Sequence, residues 1–278
     1  MITRTISGII GGLLVLTIIF FNQNVPFLIN LFVSAICVLT TYEIYAALDI
    51  NKTFIIMIPS VIFSAILPIF GRGFIWNISL YIYTILIFFI MIFFRKILKF
   101  KDIIVVFTMT LLITFSLSTL IDLRKITNIY SNFYLIFALA IPWMSDTGAY
   151  FIGKFFGKRK LCPDVSPKKT IEGALGGIIF SIVVNVIICF LFSVFFFKNN
   201  VILNYQNAIL ICLIGSIISI IGDLCFSMFK RSYRIKDFGH VIPGHGGVLD
   251  RFDSVIFVVP FIYFIVKHID FLNVFINV

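Results

Sequence analysis

Charge is scarce in this sequence: only 12% of its 278 residues are Asp, Glu, Lys or Arg, whereas a soluble globular domain has about 25%. Hydrophobic residues make up 61% of the chain, and the mean hydropathy is +1.14. One protein core cannot bury that much apolar surface. The shortage of charge therefore excludes an ordinary soluble domain, and lipid must be the solvent for most of the chain. We predict an all-α integral membrane protein.

Metal and disulfide patterns are also missing. The five cysteines form no C-x-x-C pair and four of them lie in apolar runs, so neither a disulfide framework nor a thiolate metal site is expected. No recognised nucleic-acid-binding module accompanies the net charge of +10, and we expect no nucleic acid partner. Instead, the cations collect in a few loops, which indicates a phosphate-bearing partner.

Apolar runs long enough to cross a bilayer follow one another along the chain, about nine in all. In hydrocarbon the backbone must satisfy its own hydrogen bonds, so each run predicts a helix. The runs are 6–22, 25–48, 54–70, 76–94, 103–121, 132–152, 172–197, 206–229 and 254–275. No small-residue cleavage site follows Gly8–Phe21, so we expect this segment to remain as the first span.

The basic residues predict the orientation of these spans. With the N-terminus in the cytoplasm, the inner segments hold 17 Lys and Arg residues and the outer segments hold five. This asymmetry favours that orientation, because cytoplasmic loops are enriched in cations. Two long polar connections, 154–170 and 230–248, then both face the cytoplasm. We therefore divide the chain into N-terminal spans, 1–131, and a catalytic region, 132–278, which contains both connections.

The eighth predicted span carries a polar stripe. Asp223, Ser227, Lys230 and Arg234 recur at helical spacing, so they share one face for as long as the helix continues. A carboxylate inside a transmembrane helix is costly and is by default a functional hypothesis. The stripe therefore marks this span as part of a site.

A glycine turn and two aspartates follow the stripe. Gly244-His245-Gly246-Gly247 precedes Asp250 and Asp253, which are three residues apart near the predicted start of the last helix. A glycine turn that enters a helix N-terminus offers backbone N–H groups to phosphate, and carboxylates suit Mg²⁺ bridged to phosphates. The nearby cations are suited to the remaining phosphate charge; they are Lys230, Arg231, Lys236 and Arg251.

A second group of polar residues surrounds the sixth and seventh spans. Asp146 lies inside the sixth span, with Gly153 and Gly157 further along the same helix; these glycines suit either a site or close helix packing. Ser166-Pro167 predicts a turn into the seventh helix. Thr170 and Glu172 are typical of a helix start, although capping does not account for the adjacent Lys168 and Lys169.

At these residues the sequence resembles a known family. The segment from Ser227 to Asp253 is similar to the complete signature of the phosphatidate cytidylyltransferases, and every fixed position of that signature is present. The segment from Asp146 to Gly173 resembles the second recurring segment of the family. The resemblance implies transfer of CMP from CTP to phosphatidate in the bilayer, which gives CDP-diacylglycerol and pyrophosphate with Mg²⁺ or another divalent cation.

The resemblance also implies residue roles. Asp223 and Asp250 would bind the metal, with Asp253 and Asp146 as further acidic candidates. Lys230, Arg231 and Arg251 would contact phosphate in the reaction. The remaining substrate-binding or phosphate-binding candidates are Asp146, Ser166, Lys168, Lys169, Thr170, Ser227, Lys236, Asp237, His245, Gly246 and Gly247.

The resemblance further implies a multi-pass protein of a bacterial inner or plasma membrane, with its active site on the cytoplasmic side. A homodimer is left open. The alternatives are a CTP-dependent polyprenol kinase, another lipid cytidylyltransferase or a transporter. A transporter should carry ionisable residues throughout the membrane depth, whereas here they concentrate at the predicted inner ends of the last four spans.

Overall fold

The computed structural model describes residues 2–48, 54–71, 73–126, 130–196, 202–242, 244, 246–268 and 272–273. The described part is dominated by helices, and the chain is an all-α integral membrane protein. The principal helices are α1 (Ile2–Phe21), α2 (Phe27–Ala47), α3 (Phe54–Phe70), α4 (Phe74–Phe93), α5 (Phe100–Ile126), α6 (Ser131–Phe156), α7 (Ile171–Leu191), α8 (Tyr205–Ser232), α9 (Leu249–Phe252) and α10 (Val255–His268).

Each of the first eight predicted apolar runs overlaps one long helix, and α10 lies in the last run. Within the described residues, six helices are long and apolar enough to cross a membrane: α2, α4, α5, α6, the 171–196 segment and α8. Two shorter apolar helices, Ser7–Phe21 and Phe54–Phe70, lie in the first and third predicted runs. The prediction of helices is confirmed, while the number of spans and their orientation stay predictions.

The chain divides into two compact units. The first unit comprises residues 1–125 and 230–252, and the second comprises 126–229 and 253–278. The boundary near residue 125 lies close to the predicted division at 131. However, the segment 230–252 groups with the N-terminal helices by its contacts. The functional division into 1–131 and 132–278 stays a prediction.

In the first unit, aromatic and aliphatic side chains from α2 to α5 form a buried core. Phe63 and Tyr83 stack with their ring centroids 4.3 Å apart, and the Tyr83 hydroxyl lies 3.0 Å from that of Ser60. Gly71 ends α3 with a φ of 70°, a conformation that suits glycine because it has no Cβ. Because α3 ends here, α4 can begin shortly afterwards, at Phe74.

In the second unit, α6 and α7 pack closely along their lengths. Glycines make the approach possible: a Cβ on Gly177 would lie 3.0 Å from Cβ of Ala149, and one on Gly173 would lie 2.8 Å from the Ala149 carbonyl oxygen. A Cβ on Gly153 would lie 3.5 Å from Cα of Gly173. A Cβ on Gly173 would lie 3.0 Å from Cα of Gly153, so close packing of the two helices at Gly153 is observed.

The connection between α6 and α7 differs from the predicted loop. It contains an antiparallel hairpin of β1 (Lys160–Cys162) and β2 (Ser166–Thr170). The predicted Ser166-Pro167 turn into α7 is wrong, because Ser166 begins β2 and α7 starts directly after Thr170. A π-helical segment, Phe192–Phe196, extends α7, and β3 (Ile202–Leu203) pairs with β4 (Leu272–Asn273).

Candidate active site

The Glu172 carboxylate fixes the hairpin onto the start of α7. Its Oε2 accepts hydrogen bonds from the backbone N–H groups of Lys158 (3.0 Å) and Arg159 (3.1 Å). At the same helix start, Thr170 Oγ1 accepts a hydrogen bond from the Gly173 N–H group at 3.1 Å, which confirms the predicted N-cap. These contacts set the position of β2 and of its two lysines.

A cavity of about 450 Å³ opens in the second unit beside this hairpin. Its size is within the range of small-molecule sites, roughly 300–1,000 Å³. Its lining combines carboxylates, ammonium groups and glycine backbone. The lining residues are Asp146, Ala149, Tyr150, Gly153, Lys154, Leu161, Lys168, Lys169, Thr170, Gly173, Ala174, Ile220 and Asp223.

Asp223 is the carboxylate that α8 contributes to this cavity. It forms an ion pair with Lys169 of β2, and the two side chains are 23% and 25% exposed. One turn further along α8, the Ser227 hydroxyl donates to Asp223 Oδ1 at 3.3 Å. The predicted stripe of Asp223, Ser227 and Lys230 therefore lies on one helix. Arg234 is not part of it, because α8 ends at Ser232 and Arg234 has a φ of 56°.

Asp146 is the second carboxylate of the cavity. Its Oδ2 accepts a hydrogen bond from the Ser254 hydroxyl at 3.2 Å. The backbone N–H of Ser254 in turn donates to Asp253 Oδ1 at 2.7 Å. Asp253 is buried and is not one of the residues that line the cavity. It contacts Ser254, the residue that donates to Asp146. Sequence reasoning did not identify Ser254, because a single buried serine carries no distinctive pattern.

Asp250 is enclosed by hydrogen-bond donors in the first unit. Its Oδ1 lies 2.7 Å from Lys230 Nζ, and its Oδ2 accepts from the N–H groups of Phe238 (2.8 Å) and Gly247 (3.0 Å). A Cβ on Gly246, which has a φ of 85°, would lie 2.9 Å from Oδ2. The glycine turn is thus folded tightly around a carboxylate of the chain itself.

Glu43 is a second carboxylate at the same turn, and sequence reasoning missed it. Its Oε1 accepts from the Val248 N–H at 2.8 Å and its Oε2 from the Leu249 N–H at 2.7 Å. Glu43 is only 2% exposed although it belongs to the apolar helix α2. Its position within an apolar span could have identified it from the sequence, since a carboxylate inside a span is rarely without a role.

These contacts correct one expectation about the glycine turn. The backbone N–H groups of this turn were expected to be available to phosphate. Those of Gly247, Val248 and Leu249 instead donate to Asp250 and Glu43. The helix that follows is also not the last one: Asp250 belongs to the four-residue α9, and α10 starts after Asp253. Phosphate binding by Gly246 and Gly247 stays a prediction, but the N–H groups that donate to Asp250 and Glu43 no longer support it.

The other predicted residues of the first unit lie around this turn. Arg231 is exposed and its Nη1 donates to the Ile235 carbonyl oxygen at 3.2 Å. Lys236 and Arg251 are exposed, and Asp237 is half-buried next to Gly246. His245 lies outside the described residues. In the second unit, Ser166 is half-buried in β2 and is not among the cavity residues.

Tyr233 adds a neutral group at the end of α8. Burial in the first place, and the nearby Asp102 carboxylate in the second, raise the pKa of its phenol. Lys101 Nζ lies 5.4 Å from the centre of its ring. A tyrosine phenol is neutral at pH 7 even with its ordinary pKa, and the raised pKa keeps it neutral at higher pH as well.

A divalent cation fits the donors of the cavity. Asp146 and Asp223 supply the hard oxygen ligands that Mg²⁺ prefers. Among the residues that the structure describes, no three His, Cys, Asp or Glu side chains converge into a metal-binding group. In the first unit, Asp250 Oδ1 is paired with Lys230. Metal ligation by Asp223 and Asp250 stays a prediction.

Fold and site together define a multi-pass α-helical membrane protein with a cavity suited to phosphate groups. Residues 2–269 match the model of the Cytidylyltransferase family. Since this match covers nearly the whole sequence, the chain belongs to that family, and the resemblance found in its two motifs is confirmed.

Individual relatives match over a shorter region. The phosphatidate cytidylyltransferase of Bacillus subtilis (strain 168) is 43% identical over 145 residues, which cover 52% of this chain and 51% of that protein. Proteins of the same name from Staphylococcus haemolyticus (strain JCSC1435) and Staphylococcus aureus (strain COL) are 46% and 44% identical over 127 residues, or 46% of each chain. The similarity thus spans about half the length of these curated relatives.

Proposed function

We propose that this protein is a phosphatidate cytidylyltransferase that transfers CMP from CTP to phosphatidate and releases pyrophosphate. The observation that carries the proposal is the cavity of the second unit, where Asp146 and Asp223 lie with Lys154, Lys168 and Lys169. Family membership and the names of the relatives supply the choice of CTP and phosphatidate. We further propose that the cavity faces the cytoplasm, where CTP is available.

The lysines are suited to the triphosphate of CTP. Lys168 is exposed, while Lys169 is half-buried and pairs with Asp223. An arriving triphosphate competes with Asp223 for the Lys169 ammonium group, since charge-assisted hydrogen bonds to phosphate are strong. Nucleotide binding would therefore release the Asp223 carboxylate at the moment when it is needed.

A divalent cation held by Asp223, with Asp146 as the adjacent candidate, would neutralise negative charge on the phosphates when bound. The phosphate oxygen of phosphatidate is already a nucleophile, so the reaction requires no strong general base. Its attack forms a bond to the α-phosphorus of CTP as the bond to pyrophosphate breaks. Lys154, Lys168 and Lys169 would hold the triphosphate for in-line attack and stabilise the charge on pyrophosphate.

Position-specific labels of CTP test the reaction class. In vesicles that contain phosphatidate and the purified chain, label from [α-³²P]CTP should enter a chloroform-soluble product, and label from [γ-³²P]CTP should stay in the aqueous phase. A CTP-dependent lipid kinase would give the opposite distribution, because it transfers the γ-phosphoryl group. Lipid-borne γ label, or α incorporation that does not depend on phosphatidate, would refute the proposal.

A further inference from the structure

We infer that Glu43 is a positioning residue of the active site, through which the N-terminal helix α2 holds the 238–250 segment of the signature in its working conformation. The inference rests on the proposed function for its catalytic consequence. Its structural basis is independent: one buried carboxylate accepts hydrogen bonds from two consecutive backbone N–H groups, at 2.8 and 2.7 Å, more than 200 residues further along the chain.

The glycines of the signature fit around this carboxylate. A Cβ on Gly247 would lie 2.6 Å from both Oε1 and Oε2 of Glu43, and a Cβ on Gly239 would lie 2.7 Å from Oε1. Heavy atoms cannot approach so closely without displacement. The presence of Glu43 therefore explains why both positions are glycine. Phosphate binding is not needed to explain either one.

Glu43 and Asp250 restrain the segment together. Glu43 binds the N–H groups of Val248 and Leu249, while Asp250 binds those of Phe238 and Gly247 together with the Lys230 ammonium group. The two carboxylates thus fix both ends of the segment, which contains Gly239 and Gly246. Loss of Glu43 removes two hydrogen bonds that reach the segment from outside the signature, whereas Asp250 and Lys230 belong to the signature itself.

A double-mutant cycle between Glu43 and Gly247 tests this arrangement. Gly247 does not have a positive φ, so alanine is compatible with its backbone, and its penalty should come from the collision with Glu43. We expect Glu43→Ala and Gly247→Ala each to lower kcat about tenfold or more. In the Glu43→Ala chain, however, Gly247→Ala should add little, since the colliding oxygens are gone.

Two controls separate this effect from a general loss of stability. Gly246→Ala should lower activity in both backgrounds, because the φ of 85° disfavours alanine whether or not Glu43 is present. Ser34→Ala removes a buried hydrogen bond from α2 to the Ala65 carbonyl oxygen and leaves the signature untouched, so we expect near-normal kcat. Equal penalties for Gly247→Ala in the two backgrounds would overturn the inference.

Limited proteolysis of the full-length chain in detergent gives a readout that does not depend on activity. Glu43→Gln keeps the size of the side chain but places an amide group against two N–H donors, so the segment should loosen. We expect trypsin to cleave within 231–251 several-fold faster than in the parent chain or in Ser34→Ala. An unchanged rate would refute the restraint. Failure of the parent chain to transfer the α label would instead refute the proposed function and leave the proteolysis result to decide the inference.

Discussion

Lys230 and Asp250 form a buried ion pair, with Nζ 2.7 Å from Oδ1 and the two side chains only 11% and 2% exposed. The sequence motifs predict phosphate as the partner of Lys230 and a metal ion as the partner of Asp250. In the structure each neutralises the other. A role in catalysis therefore requires the pair to open or to act as a unit.

Removing one member of this pair should destabilise the protein. Lys230→Met leaves Asp250 buried with only its two backbone donors, and breaking a buried pair from one side costs about 3–5 kcal/mol. We expect a loss of about 3 kcal/mol in the free energy of unfolding, measured by denaturant titration in mild detergent. Lys96→Met, at an exposed position of the same unit, should change it by less than about 0.5 kcal/mol. Equal losses in the two variants would show that the pair contributes nothing specific.

The N-cap of α7 gives a smaller and local prediction. Thr170→Ala removes the hydrogen bond from the Gly173 N–H group and should lower stability by about 1 kcal/mol. Thr170→Ser keeps the hydroxyl group and should retain most of that stability. Because Thr170 also lines the cavity, the alanine variant should raise the KM for CTP more than the serine variant does. The melting temperature and the KM of both variants check this order.

Helix positions were predictable because the signal is local. A run such as 206–229 must become a helix in lipid, whatever surrounds it, and α8 covers that run. The β1–β2 hairpin was not predictable in this way. Its strands are short and carry little local signal. The hairpin is also held by Glu172, which accepts hydrogen bonds from the backbone N–H groups of Lys158 and Arg159, and residue spacing does not predict this contact.

The candidate site was predictable in its residue types and less so in its contacts. Asp146, Lys169 and Asp223 were chosen from motifs, and all three line one cavity. The partners of Asp250 depend on how the chain folds back between Lys230 and Gly247, which residue spacing does not encode. Glu43 could have been noticed as an intramembrane carboxylate, but its partners lie in a motif about 200 residues away.

The charge asymmetry makes a topology prediction. Reporter fusions at Lys169 and Lys236 should both report a cytoplasmic location, and a fusion at Val278 should report an external one, because the cation-rich segments are expected inside. The two motif fusions form the decisive pair, whatever the total number of spans. Opposite locations for Lys169 and Lys236 would be incompatible with both motifs serving one reaction.

Asp223 and Asp250 should differ in the consequences of their substitution. Asp223→Asn keeps the size of the side chain and removes the negative charge that pairs with Lys169 in the cavity. Asp250→Asn replaces an acceptor of three hydrogen bonds in the glycine turn. We expect each to abolish transfer of the α label, since loss of a carboxylate that supports phosphoryl chemistry costs several kcal/mol of transition-state stabilisation.

A second measurement separates the two aspartates. Asp250→Asn should also accelerate tryptic cleavage within 231–251, because the turn loses its internal acceptor, whereas Asp223→Asn should leave that rate unchanged. Asp164→Asn, at an exposed position between the hairpin strands, is the matched control and should retain normal transfer. Residual turnover by Asp223→Asn that approaches the parent level as Mg²⁺ is raised would indicate that Asp223 assists metal binding without being essential to it. Near-normal turnover at every Mg²⁺ concentration would remove Asp223 from the site altogether, and the cavity would then need a different assignment.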